Sequence, residues 1–161
     1  MMLGMTLSTF TTFHVVISLI GIATGFIVVF GLLSAKPLKN WAAIFLLTTV
    51  LTSVTGFLFP FHGFKPSYVV GILSLMVLAV AILALYAGHL AGAWRWIYVV
   101  SAVVALYFNV FVLIVQSFAK VPALKALAPT QTEPPFLVAQ VAVLAIFIVL
   151  GILAVRRFRL T

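Results

Sequence analysis

The sequence contains no cysteine and no aspartate, a single acidic residue, Glu133, and only 6% charged residues, where a water-soluble domain carries about 25%. Without cysteine there is no disulfide, no thiolate nucleophile and no sulfur-ligated metal centre. With one carboxylate, neither the paired acids of general acid/base catalysis nor an intramembrane carboxylate relay fits within one chain. The scarcity of charge also excludes a soluble fold, and with it any presentation of basic residues to nucleic acid.

What is present is hydrophobic length. Of the 161 residues 66% are hydrophobic, with a mean hydropathy of +1.40. Runs 1–35, 40–64, 66–94, 96–119 and 134–155 hold no charge, and each reaches the roughly 20 apolar residues that cross a hydrocarbon core. The expectation is an all-α integral membrane bundle of five transmembrane helices at about 10–33, 41–59, 67–90, 94–118 and 135–155, forming one transmembrane domain over 1–161. The Met1–Met5 start lacks the positive region of a cleavable signal peptide and precedes an overlong apolar segment, so it is read as leading into a retained first helix. The longest loop, 119–134, contains Pro122 ahead of an Ala/Leu stretch, which predicts one or two helical turns on the membrane surface. Thr132 is expected to cap the last helix, with Glu133 facing its dipole.

Charge distribution predicts orientation. Lys36, Lys39, Arg95, Arg156, Arg157 and Arg159 fall on one side, against Lys65, Lys120 and Lys125 on the other, which places the C-terminus in the cytoplasm and the N-terminus outside. Trp41, Trp94 and Trp96 all lie on the cytoplasmic boundary, as interfacial anchors do. The short loops fit a bacterial inner membrane. The cluster Arg156, Arg157 and Arg159 favours anionic headgroups, though it is shorter than usual lipid-recognition clusters. In size alone the chain is similar to the translocator/tryptophan-rich sensory proteins; it lacks their tryptophan-rich pattern, so nothing is carried over from them.

Small and polar residues mark the faces that helices turn towards one another in lipid. They recur at helical spacing as His14, Ser18, Gly21 and Gly25; Thr48, Thr52 and Thr55; Ser67, Gly71 and Ser74; Ser101, Ala105, Asn109 and Gln116; and Gln140 with Gly151. Gly21, Gly25 and Gly71 are the expected close-packing positions. On the predicted topology His14, Ser18, Thr52, Thr55, Ser74, Asn109, Gln116 and Gln140 lie in the outer half of the bilayer, whereas the inner half is aliphatic. That asymmetry points to a pocket open outward, with His14, Ser18, Thr52, Thr55, Asn109, Gln116 and Gln140 as candidate ligand contacts, or to interhelical hydrogen bonding alone.

Of the three histidines, His14 and His62 could share a level, which leaves a bis-histidine haem b site as a weak alternative. Two histidines with no carboxylate or thiolate make a poor structural-metal set, so no metal is the expectation. His89 lies in a headgroup-level turn. The leading functional expectation is a non-enzymatic multi-pass protein holding an amphipathic or lipid-like molecule in the outer-half pocket. The alternatives are an accessory or assembly subunit of a larger membrane complex, docked through the Gly21/Gly25 face, and a small homo-oligomeric transporter of an uncharged solute. The partners implied are membrane lipids, a lipid-like ligand, and other copies or subunits.

Overall fold

The structure, a computed structural model, describes residues 4–59 and 66–159. The chain forms α1 (Leu7–Leu33), α2 (Lys39–Phe57), α3 (Pro66–Ile82), which runs on into a π-helical turn (Leu83–Ala87), α4 (Ala93–Lys120), a short α5 (Pro122–Leu127) and α6 (Pro134–Arg157). No strand element occurs among the described residues. Five of the helices are long and apolar enough to span a membrane, so the all-helical, multi-pass architecture stands as expected.

The element ends have local causes. Helix α1 begins earlier than the apolar run because Thr6 caps it, its hydroxyl accepting from Thr9 N–H at 3.2 Å. Helix α6 begins at Pro134 with Glu133, not Thr132, at the cap. The two prolines explain the shift: a first-turn proline lacks an N–H that the helix leaves unbonded anyway, and it holds the residue before it extended. Helix α3 stops short of Leu90. Its last turn widens into the π-helical segment, and the chain leaves through His89 and Leu90, both with left-handed backbone. The predicted surface turns are α5, opened by Pro122 as its leading residue.

Helix α4 is the central element, packed against α1, α3 and α6, while α1 also lies along α2, and α2 along α3. Helix α6 packs against α4 and α1 and is peripheral, with only 11% of its span buried. One end of the bundle gathers Lys36, Lys39, Arg95, Arg156, Arg157 and Arg159 around the start of α2, the start of α4 and the close of α6; this is called the basic end below. The half of the core towards that end is mainly apolar, built from buried Val28, Leu32, Phe45, Leu85, Val99 and Leu106, with Thr24, Ser101 and Tyr98 buried among them. Trp41, Trp94 and Trp96 are all exposed at that end, where an interfacial belt would sit.

Lipid is as apolar as leucine, so these helices associate through close van der Waals fit, not through hydrophobic expulsion. Glycine sets that fit on α1. A Cβ added at Gly25 would stand 2.6 Å from Leu106 Cδ1 and 2.8 Å from the Phe45 ring. One residue on α1 thereby seats a side chain from α4 and another from α2. Gly71 on α3 likewise leaves room for the Phe57 ring, 2.8 Å from where its Cβ would be, and that ring stacks on Tyr68 with centroids 5.8 Å apart.

At Gly25 overpacking of about 1–3 kcal/mol outweighs the roughly 0.5–1 kcal/mol a mid-helix alanine gains over glycine. At Gly151 a Cβ would meet Val103 Cγ1 at an ordinary 3.6 Å, so only the gain remains. Gly25→Ala should therefore lower the melting temperature in detergent and Gly151→Ala should leave it unchanged or raise it. Equal shifts in a thermal-stability assay would refute this account of the α1 contact.

Candidate functional site

The polar residues of the expected stripes meet partners across helix interfaces. At mid-height, within one turn of the middle of each helix, Gly21 of α1 faces Thr48 and Thr49 of α2 and Asn109 of α4. A Cβ on Gly21 would lie 3.2 Å from both threonine hydroxyls and 3.7 Å from the Asn109 amide nitrogen. Asn109 Nδ2 donates to Thr49 Oγ1 at 3.2 Å. This node lies near the middle of the bundle, with Asn109 just past the midpoint of α4 on the side away from the basic end, and there Asn109, expected as a ligand contact, ties α4 to α2.

Farther from the basic end, His14 Nδ1 lies 2.7 Å from Thr55 Oγ1. The direction of that bond follows from proton counting. A threonine hydroxyl has one proton, and Thr55 donates its own to the Leu51 carbonyl at 2.6 Å. His14 Nδ1 is then the donor in this bond. The ring is held edge-on to Phe59 at 5.2 Å. Thr48, Thr52 and Ser18 make the same intrahelical bonds, to the Ile44, Thr48 and Val15 carbonyls at 2.7 Å each. Ser53 meets Ser74 at 3.4 Å between α2 and α3.

On α6 the buried Gln140 donates weakly to the Phe111 carbonyl of α4 at 3.4 Å, while its Oε1 has no partner among the described residues. Gln116 is exposed, away from these contacts. The amide that does reach this part of α4 is Gln131, whose Nε2 donates to the Val115 carbonyl at 3.0 Å; loop position alone gave no reason to single it out. His62 and its proposed pairing with His14 lie outside the described residues, as does the side chain of Ser67. Tyr98 also escaped the sequence reasoning: it is fully buried near the start of α4 with its hydroxyl unpartnered among the described residues.

The structure opens space elsewhere. A cleft of about 420 Å³ runs between α4 and α6, in the half towards the basic end, lined by Val100, Val103 and Tyr107 on one side and Phe147, Gly151, Ile152 and Arg156 on the other. None of the expected ligand contacts lines it. Its walls are apolar, and its volume falls within the roughly 300–1,000 Å³ range of small-molecule sites. Tyr107 and Phe147, with ring centroids 5.6 Å apart, lie near its mid-membrane end, and Arg156 marks the other. A second apolar cleft between α3 and α4, near Val77, Trp96 and Val104, is about 200 Å³ and below that range.

The lone acid is part of a loop, apart from either cleft. Glu133 accepts from the Thr130 hydroxyl at 2.7 Å and from the backbone N–H groups of Thr130 and Thr132 at 3.2 and 3.1 Å. These bonds, the Thr130 hydroxyl foremost, hold its carboxyl below the ordinary value.

No family model, no curated protein and no solved structure matches this chain.

Two measurements test these contacts. A double-mutant cycle of Asn109→Ala and Thr49→Ala should give a coupling of about 0.6 kcal/mol, and not above about 1.7, as for hydrogen bonds between membrane helices; zero coupling would remove the central tie. For Glu133 a depressed carboxylate lends its loop order that is complete above the ordinary pKa and lost as pH falls through the lower native value. Thr130→Ala should move the Glu133 titration, followed by carboxyl ¹³C NMR, up towards that ordinary value, and an unmoved titration would contradict the assignment.

Proposed function

We propose that this protein is a small, non-enzymatic multi-pass membrane protein that holds a lipid-like molecule, with the apolar part of that molecule lying along the α4–α6 cleft. The cleft carries the reading. It is long as well as wide: from Leu144 to Arg156 its α6 wall covers twelve residue steps, or about 18 Å at 1.5 Å per residue. That is close to the depth of one leaflet, about half of a hydrocarbon core near 30 Å thick. A chain lying there reaches from the membrane boundary to the bilayer centre.

The polar residues first considered as ligand contacts support a different task. His14 pairs with Thr55 across α1 and α2, and Asn109 pairs with Thr49, not itself one of those candidates, across α4 and α2; these two ties hold the scaffold against which α6 leans. The orientation proposed with this reading puts the basic end at the cytoplasmic face, from the distribution of lysine and arginine. A bacterial inner membrane suits the compact loops.

Gly151 is the position that separates occupancy from folding, because it lines the cleft and has room for a Cβ. Native mass spectrometry of the protein extracted gently from its membrane should show a retained lipid-sized mass on a single copy. Gly151→Leu should lose that mass while keeping its thermal stability. A bare wild-type chain, or a mass that survives in Gly151→Leu, would overturn the cleft reading; a chain found only with other polypeptides would move the function to the partner.

A further inference from the structure

At the basic end of the cleft the chain has built a fixed platform. Phe158, one residue beyond the end of α6, is fully buried in the core. Arg95, at the start of α4, donates from one guanidinium nitrogen to the Val155 carbonyl at 3.2 Å and to the Phe158 carbonyl. The final carbonyls of a helix carry the negative end of its dipole, and Arg95 is bonded to one of those of α6, at Val155, and to the carbonyl of the residue that closes the helix, Phe158. The closing turn is thus anchored by a buried ring on one side and a cation on the other.

Arg156 lies between these anchors. It is exposed, lines the mouth of the cleft, and its guanidinium has no hydrogen-bond partner among the described residues. No acidic side chain is near to neutralise it: the only one in the chain, Glu133, is at the opposite end of α6. An arginine with its five N–H donors free matches a phosphate oxygen pair better than any other side chain. An 18 Å apolar trough, estimated as above from the helical rise of about 1.5 Å per residue, that ends at such a group has the polarity of a phospholipid, tail to head.

We infer that the α4–α6 cleft is a site for an anionic phospholipid, with one acyl chain against Val103, Phe147 and Gly151 and the headgroup phosphate on Arg156, whose unneutralised charge favours a headgroup of net negative charge over a zwitterionic one that carries its own cation beside the phosphate. The inference rests on the cleft reading above and adds the headgroup class and the residue that selects it. Arg157 and Arg159 share the basic end but do not line the cleft; they contribute to the general surface potential, whereas Arg156 makes the contact.

The test uses the full chain reconstituted into equimolar phosphatidylglycerol and phosphatidylcholine of matched acyl chains, with the lipid retained after mild extraction identified by native mass spectrometry. A basic residue near the membrane surface is worth about a fivefold preference for anionic lipid. Wild type should retain phosphatidylglycerol over phosphatidylcholine by at least that factor. Arg156→Gln should bring the ratio near one, and Arg157→Gln should leave most of the preference in place. Loss of all retained lipid in Gly151→Leu, with an unchanged ratio in Arg156→Gln, would overturn the headgroup inference while the cleft reading stands. Equal losses in Arg156→Gln and Arg157→Gln would do the same, since diffuse charge would then suffice. Retention in Gly151→Leu would overturn both. Inorganic phosphate, titrated against the Arg156 side-chain ¹⁵N signal in detergent, should give no saturable shift. A saturable shift together with no lipid selectivity would make free phosphate the ligand and sink the phospholipid proposal.

Discussion

The close approach of α1 to both α2 and α4 is the constraint on which the rest of the bundle depends. In lipid no helix gains by hiding an apolar face, so contact depends on how near two backbones can come and whether side chains then interlock. Gly21 and Gly25 bring the backbone of α1 near enough for Phe45, Leu106 and the Thr48, Thr49 and Asn109 cluster to fit beside it. Once these three helices are locked, α3 has a surface formed by α2 and α4, and α6 has one formed by α4 and α1. Of the five spanning helices α6 has the smallest buried share, and the larger of the two clefts described lies along it.

Hydroxyl chemistry explains why a polar stripe need not line a pocket. A serine or threonine in a membrane helix satisfies its one proton by bonding a carbonyl a turn back, and what it offers a neighbour is a lone pair. Thr55 does this towards His14. Asn109, with two amide protons, supplies what a hydroxyl so committed cannot, and so it pairs with Thr49. The polar ties between helices are accordingly directed contacts between single pairs of groups, and the core towards the basic end is held mainly by shape.

Much of the fold was legible in the sequence for reasons of physical necessity. Charge is too costly in hydrocarbon to be scattered, so the charge-free runs mark the spans, and Pro122 marks a helix start, whereas the last helix begins at Pro134, a residue before the expected 135. The stripe containing His14, Gly21 and Gly25 was equally readable, because small and polar residues at helical spacing have few other reasons to be there. The early end of α3 was not, since a π-helical turn leaves no compositional trace in Leu83–Ala87. The cleft was also hidden. Val100, Val103, Ile148 and Ile152 are the residues any lipid-facing helix would carry, and only the spacing of two helices distant in sequence turns them into walls. Gly151 is visible in the sequence as a small residue on a helix face, but what it leaves open depends on Val103 across the gap.

The sideways opening of that cleft changes what affinity means for it. Its mouth lies between two membrane-crossing helices, so an occupant arrives by lateral diffusion within a leaflet and never passes through water. The competing species is the surrounding bilayer itself, present at enormous excess and chemically similar in its tails. Occupancy is then governed by a partition ratio and by the mole fraction of each lipid species, not by a concentration in solution. On the proposed reading, a modest selectivity at one headgroup would make the cleft a reporter of leaflet composition: its filling would rise and fall with the local abundance of the favoured lipid.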